Sequence, residues 1–167
     1  MNSLAEPPEP TIPITPESMA PVDGIRILRE KLSGLPAFER FTDEQIEIIY
    51  GIAYAIFNQG KLEAAHGLFE ALVLYRPTDA RIMLAYGICC KKMLRFDAAI
   101  PALMAAFFCN TDDLTAAIHL SECLAVTGRH DECRKVLDPL IDVAEIDGKF
   151  ESIQRRAKTL RQMLKNA

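Results

Sequence analysis

His119 and Cys123 stand four residues apart in a segment with helical patterning, and His130 and Cys133 follow a short way on. Imidazole and thiol groups on one helix face could hold a metal ion, or a cysteine could act as a nucleophile with a histidine as its base. A zinc site normally shows paired ligands at short loop spacings such as C-x2-C, and the chain has no such pair. His130 falls where the surrounding repeat carries an aromatic, and Cys133 where it carries alanine, so packing accounts for both. Cys89, Cys90 and Cys109 likewise occupy slots that suit small or medium apolar side chains. No phosphate-binding glycine loop, dinucleotide glycine pattern or paired-carboxylate signature is present. The expectation is a protein that is not an enzyme and uses no metal or cofactor.

The elements that position these residues repeat every 34 residues. Aligned on Gly60, Leu94 and Gly128, the chain gives columns Ala53, Gly87, Ser121; Ala65, Ala99, Cys133; and Phe69, Leu103, Leu137. Small residues recur where two helices of a hairpin approach closely, and large apolar ones where the second helix fills the gap to the next unit. This is the tetratricopeptide pattern, strongest from Ile46 to Asp79 and weaker over Ala80 to Asp113 and Leu114 to Asp147. Stacked hairpins form a curved surface whose inner side suits an extended segment of another protein. The predicted fold is all-α: three tetratricopeptide hairpins in a short solenoid, with an N-terminal helix and a C-terminal capping helix at 149–165.

Composition narrows the class further. In residues 1–23, Glu6, Glu9, Glu17 and Asp23 face no Lys or Arg and account for the whole formal charge of −4, so the rest is neutral. A neutral body has no electrostatic footprint for nucleic acid. No run of about 18 apolar residues suggests a membrane span. The start lacks the basic and apolar stretches of a secretory signal, which predicts a cytosolic protein. Six prolines in residues 1–23 predict a disordered arm, with one repeat domain over 24–167. Ile25, Leu28 and Leu32 recur at helical spacing within 24–33, and such an amphipathic helix must pack on the first repeat or on a second copy.

Local signals place the helix ends. Thr42 and Gln45 have capping-box spacing, Asn58-Gln59-Gly60 predicts a stop, and Thr78-Asp79 and Asn110-Thr111-Asp112 offer later caps. Pro101 suits a helix beginning near Asp97, where first-turn N–H groups need no intrahelical partner. Pro139 predicts a kink or an early end. Phe150, Ile153, Ala157, Leu160 and Leu164 make one apolar stripe of the last helix, and its basic residues suit a solvated face.

Binding candidates are apolar residues at positions that the hairpin's own packing does not require. In this repeat the inner helix turns its second, fifth, ninth, twelfth and thirteenth residues to the concave side. Tyr50, Tyr54 and Phe57, three of only twelve aromatic residues, share that face of the first unit. Leu84, Ile88 and Ile118 continue it, and Lys91, Lys92, Glu47 and Glu122 rim it. An apolar groove of this kind fits an extended peptide that inserts aliphatic or proline side chains. The carboxylate clamp of co-chaperones that bind acidic tails is disfavoured, because Tyr50 and Tyr54 stand where that clamp needs Lys and Asn.

Tyr50-Gly51-Ile52-Ala53-Tyr54, Asn58 through His66, Phe69, Ala85 through Cys90, and His119 through Leu124 look like the class II chaperones of bacterial type III secretion systems. The resemblance covers roughly residues 25–165. It implies a chaperone that keeps hydrophobic, pore-forming translocator subunits soluble and apart in the bacterial cytosol before export. It also implies that Tyr50, Tyr54 and Phe57 grip the client, with Leu84, Ile88 and Ile118 as the wall and Lys91 on the rim. Some members dimerise through the N-terminal helix, which corresponds here to Ile25, Leu28 and Leu32, and some act with a transcriptional regulator. The proline-rich arm is longer than the family pattern. The alternative is a general tetratricopeptide adaptor whose partners are soluble proteins.

Overall fold

The computed structural model describes residues 41–146 and 150–165, and every regular element among them is an α-helix. The predicted arm and the helix carrying Ile25, Leu28 and Leu32 lie outside the described residues. Helices α1 (Asp43–Asn58) and α2 (Leu62–Tyr75) form the first hairpin, α3 (Ala80–Lys92) and α4 (Phe96–Cys109) the second, and α5 (Thr115–Val126) and α6 (His130–Ile146) the third. Helix α7 (Glu151–Met163) follows. Each helix packs on the next in sequence, and α1 also meets α3, α3 meets α5, and α5 meets α7. The odd-numbered helices thus form an inner row backed by α2, α4 and α6.

The 34-residue period is visible in the backbone. Gly60, Leu94 and Gly128 adopt the left-handed conformation, with φ of 78°, 60° and 74°. At each, the next residue's N–H reaches back to a carbonyl five residues earlier: Lys61 to Ile56, Arg95 to Cys90 and Arg129 to Leu124. The N–H of each left-handed residue meets the carbonyl three residues back. These paired bonds satisfy the orphan carbonyls of the inner helices and turn the chain into the outer ones. Leu94 holds this geometry without glycine's freedom, while its side chain stands 73% exposed.

Thr42 caps α1 in a reciprocal box, with Gln45 N donating to Thr42 Oγ1 at 3.2 Å and Thr42 N donating to Gln45 Oε1 at 2.9 Å. Asp79 caps α3 by accepting from the N–H groups of Arg81 and Ile82. For α5 the expected cap moves on by one residue: Asp113 accepts from Thr115 N at 2.9 Å, while Asn110 serves Asp112 within the loop. Pro101 is the sixth residue of α4, beyond the first turn, so the bond its N–H would make to Asp97 is missing inside the helix. The residue is exposed, and water can reach the freed carbonyl's side of the helix. Helix α6 does not end at Pro139 but runs seven residues further, with Leu140, Ile141 and Ala144 buried beyond it.

Two main apolar clusters make the core. Ile46, Ala53, Ala65, Phe69, Leu72 and Ile82 hold the first hairpin to α3. The larger one runs from Cys90, Ala99 and Leu103 through Leu120, Cys123 and Leu137 to Ile153, Ala157 and Leu164. The small-residue column explains the tight α3–α4 approach: a Cβ on Gly87 would lie 2.7 Å from Leu103 Cγ. Ser121 in the same column is fully buried and donates its hydroxyl to the Ala117 carbonyl at 2.9 Å.

Candidate peptide-binding groove

The inner row carries a continuous set of side chains that its own packing leaves partly open. Tyr50 and Tyr54 stack with ring centroids 6.1 Å apart, and Tyr54 meets Phe57 at 6.2 Å. Tyr50 and Phe57 also touch the buried Phe69, at 6.2 and 6.3 Å, so one edge of each ring belongs to the core. Tyr54 meets Tyr50 and Phe57 and stands 48% exposed. Leu84 and Ile88 are half-buried on α3, facing the same hollow. A cavity of about 270 Å³ joins Tyr50, Tyr54, Leu84 and Ile88 with Arg81 and Ala116.

Ile118 is a correction. Expected on the groove wall, it is fully buried, with Leu84 and Ile88 packed against the cluster that contains it. It supports the floor from beneath and offers no surface to a ligand. The repeat position lies on the inner row, but Leu84 and Ile88 of α3 pack against the cluster that holds it.

Charged residues flank the apolar floor in two groups. Near the N-termini of α1 and α3, Arg81 donates to Glu47 at 2.6 and 3.2 Å and to Asp79 at 2.9 Å, and its guanidinium lies 5.6 Å from the Tyr50 ring centre. Hydrogen bonding to Arg81 holds the Glu47 carboxyl below its ordinary range, and bonds to Glu47 and Asp79 raise Arg81. Burial pushes the Tyr50 phenol up. Arg81 thereby clamps α1 to α3 at one edge of the floor, so Glu47, expected as a rim charge, is engaged within the protein.

The second group lies toward the other end of the row. Lys91 Nζ is ion-paired with Glu122 Oε2 and lies 3.0 Å from His119 Nδ1. Arg156 on α7 donates to Glu122 Oε1 at 2.5 and 3.2 Å. Burial would raise the Glu122 carboxyl, but the bonds from His119, Lys91 and Arg156 outweigh it and hold it well below the usual carboxylate range. Lys91 is therefore half-buried and engaged within the protein, rather than a loose rim cation. Lys92 sits 4.4 Å from the Phe57 ring centre, and among the described residues no carboxylate pairs with it.

The pairs Glu47–Arg81 and Glu122–Arg156 are both offset by 34 residues. Helix α7 thus continues the inner row in register, with Ala157 fully buried where the preceding units place Cys89 and Cys123. It acts as the first half of a fourth unit.

Four of the five thiols, those of Cys89, Cys90, Cys123 and Cys133, lie buried in the core. Cys123 is fully buried, and burial pushes its thiol up to about 11, as it does for Cys89. Cys133 donates to the Ser121 carbonyl at 3.1 Å inside the core. Among the described residues no three His, Cys, Asp or Glu side chains converge as a metal-binding group, and no helix is long and apolar enough to cross a membrane.

No protein-family model matches the chain. The Low calcium response locus protein H of Yersinia pestis is 24% identical over 124 residues, which is 74% of each chain. The Yersinia enterocolitica type III secretion chaperone SycD, solved in complex with a peptide of the translocator YopD, superposes with a TM-score of 0.71 at 24% identity, over 76% of this chain and 97% of that one. SycD has also been solved as an alternative dimer. PcrH of Pseudomonas aeruginosa, solved with the chaperone binding region of PopD, gives 0.71 at 19% identity over 76% of this chain and 96% of that one. The all-α repeat architecture is therefore that of the type III secretion translocator chaperones.

Proposed function

We propose that this protein is a chaperone of a bacterial type III secretion system, which binds hydrophobic translocator subunits in its concave groove and keeps them soluble before export. The observation that carries the reading is the partly exposed stripe of Tyr50, Tyr54, Phe57, Leu84 and Ile88 on the inner row of a translocator-chaperone fold. Exposed apolar surface of this kind, bordered by charge, is what a peptide-binding site requires. SycD carries a peptide of the translocator YopD and PcrH the chaperone binding region of PopD in their solved complexes, and a segment of this kind suits this groove. Masking a membrane-active client needs reversible apolar contacts and no bond-making chemistry. A short segment burying less than about 1,200 Å² falls at the weak end of specific interfaces, where release for export is feasible.

Lys91, held by Glu122 and His119, fixes the edge of this groove rather than gripping the ligand itself. The site of action is the bacterial cytosol. A homodimer contact through Ile25, Leu28 and Leu32 and a transcriptional regulator as a second partner belong to the same proposal.

Co-expression with the pore-forming translocator encoded nearby tests the reading. The wild-type chain should yield soluble client in complex, and Tyr54→Ala/Leu84→Ala should not, while keeping the helical circular dichroism of the wild type. A client that stays insoluble with wild type sinks the chaperone function for that client. Full capture by the folded variant places the binding surface elsewhere.

A further inference from the structure

We propose that the groove is occupied, before a client arrives, by the chain's own segment Glu9–Glu17, so that client binding is a displacement; this rests on the groove being the client site. The floor and its borders define the chemistry of a fitting occupant. Tyr54, Leu84 and Ile88 offer open apolar surface over α1 and α3. Further along the row, Lys91 and Arg156 share the single carboxylate of Glu122, and Lys92 lies over the Phe57 ring with no carboxylate partner among the described residues, leaving cationic charge in excess. The complementary ligand is an extended segment with aliphatic side chains followed or preceded by carboxylates.

Residues 9–17 read Glu-Pro-Thr-Ile-Pro-Ile-Thr-Pro-Glu. Ile12 and Ile14 supply the aliphatic anchors, Glu9 and Glu17 the charge, and no Lys or Arg occurs before Arg26. Pro10, Pro13 and Pro16 restrict the backbone to extended conformations, which lowers the ordering cost of binding. At about 3.1 Å per residue the segment spans roughly 25 Å. Two steps between adjacent inner helices, each about 8–10 Å, cover about 16–20 Å, so the segment spans α1 to α5 with about two residues to spare. The described structure begins at Phe41, directly before α1 and two turns from Tyr50. The 23 residues between Glu17 and Phe41 can cross tens of ångströms, at up to about 3.3 Å each when extended. The arm can therefore reach the groove of its own chain.

The test uses the full chain with Ile12 replaced by p-benzoylphenylalanine, photocrosslinked as a mixture of isotopically light and heavy copies and mapped by mass spectrometry. Crosslinks within one copy to the segments 50–57 and 84–92 are expected. Crosslinks to other surfaces, none at all, or only those joining light to heavy copies overturn the proposal. As a second measurement, a synthetic peptide of residues 8–18 is titrated into wild type and into full-length Ile12→Asp/Ile14→Asp. A groove open one-tenth of the time weakens an incoming ligand about ten-fold, so the variant should bind the peptide about ten-fold more tightly. Equal affinities, or no binding to either chain, refute self-occupancy. Neither readout contains a client, so a negative result here leaves the co-expression test of the chaperone function standing, and the reverse also holds.

Discussion

Replacing Gly87 by alanine should destabilise the protein, although alanine is the better helix former. A Cβ at this position would lie 2.7 Å from Leu103 Cγ, 2.8 Å from Cδ2 and 3.3 Å from the Leu103 backbone nitrogen. Ordinary carbon–carbon contacts lie near 3.5–4.0 Å, so the methyl intrudes by about 1 Å. Leu103 is fully buried and its backbone belongs to α4, so α3 and α4 must separate or Leu103 must leave its rotamer. Overpacking of this kind costs about 1–3 kcal/mol, and the helix-propensity gain returns about 1 kcal/mol. The net loss lies near the middle of that difference, about 1 kcal/mol, read as a lowered guanidinium midpoint at unchanged slope by circular dichroism. Leu103→Ala alone should cost about 2–5 kcal/mol. In the double variant the new methyl fills part of the cavity, and the two losses should fall short of additive by about 1–2 kcal/mol. A Gly87→Ala chain as stable as wild type, or additive losses in the double variant, would refute the close approach as the reason for glycine.

Leu94→Gly should stabilise the chain by about 0.5–1 kcal/mol, since relief of the left-handed strain exceeds the added freedom of the unfolded chain; a lowered denaturation midpoint would contradict the φ of 60°. Glu122→Ala should cost about 2 kcal/mol at neutral pH through the loss of charge-assisted bonds and the stranding of half-buried Lys91. Because the folded Glu122 carboxyl lies below its ordinary range, its contribution is present above the unfolded value near 4.3 and is lost as pH falls from there toward the folded value. Wild type should therefore lose stability more steeply than Glu122→Ala as pH falls below about 4.5, and parallel curves would count against the cluster.

The architecture was legible because the repeat writes its geometry in residue size. Gly60 and Gly128 marked the turns, and Thr42 with Gln45 marked the start of α1, since each is a local device whose partner lies within a few residues. What depended on depth or on distant partners was not. Ile118 shares a repeat position with Tyr50 and Leu84, but whether that position is open depends on the bulk of α3 side chains brought over it. Lys91 reads as a rim charge until Glu122 and His119, some 30 residues away, are seen to hold it. Local rules place Pro101 in a first helical turn and read Pro139 as a kink or an early end. Both lie on exposed helix faces, while the buried faces of α4 and α6 pack through Leu103, Ala106, Leu140 and Ile141. That packing outweighs one missing bond in each helix.

The position of α7 follows from the same logic and bears on how the groove works. A terminal helix needed only for solubility would have to cover the last apolar face, and Ile153, Ala157 and Leu164 do so. Arg156 adds a bond to Glu122 that capping does not require, at the same offset by which Arg81 reaches Glu47. These two pairs hold neighbouring inner helices at opposite ends of the apolar floor, so the spacing of the floor depends on charges that a ligand need not touch. Weakening the Glu122 pairs should therefore alter binding through the spacing of α3, α5 and α7 while Tyr54 and Leu84 remain intact. In Arg156→Gln the α1–α3 edge stays clamped by Arg81, and the loss of affinity for the residue 8–18 peptide should be smaller than in Tyr54→Ala/Leu84→Ala. Were Arg156→Gln to abolish binding as completely as the floor variant, Arg156 would have to be a direct ligand contact.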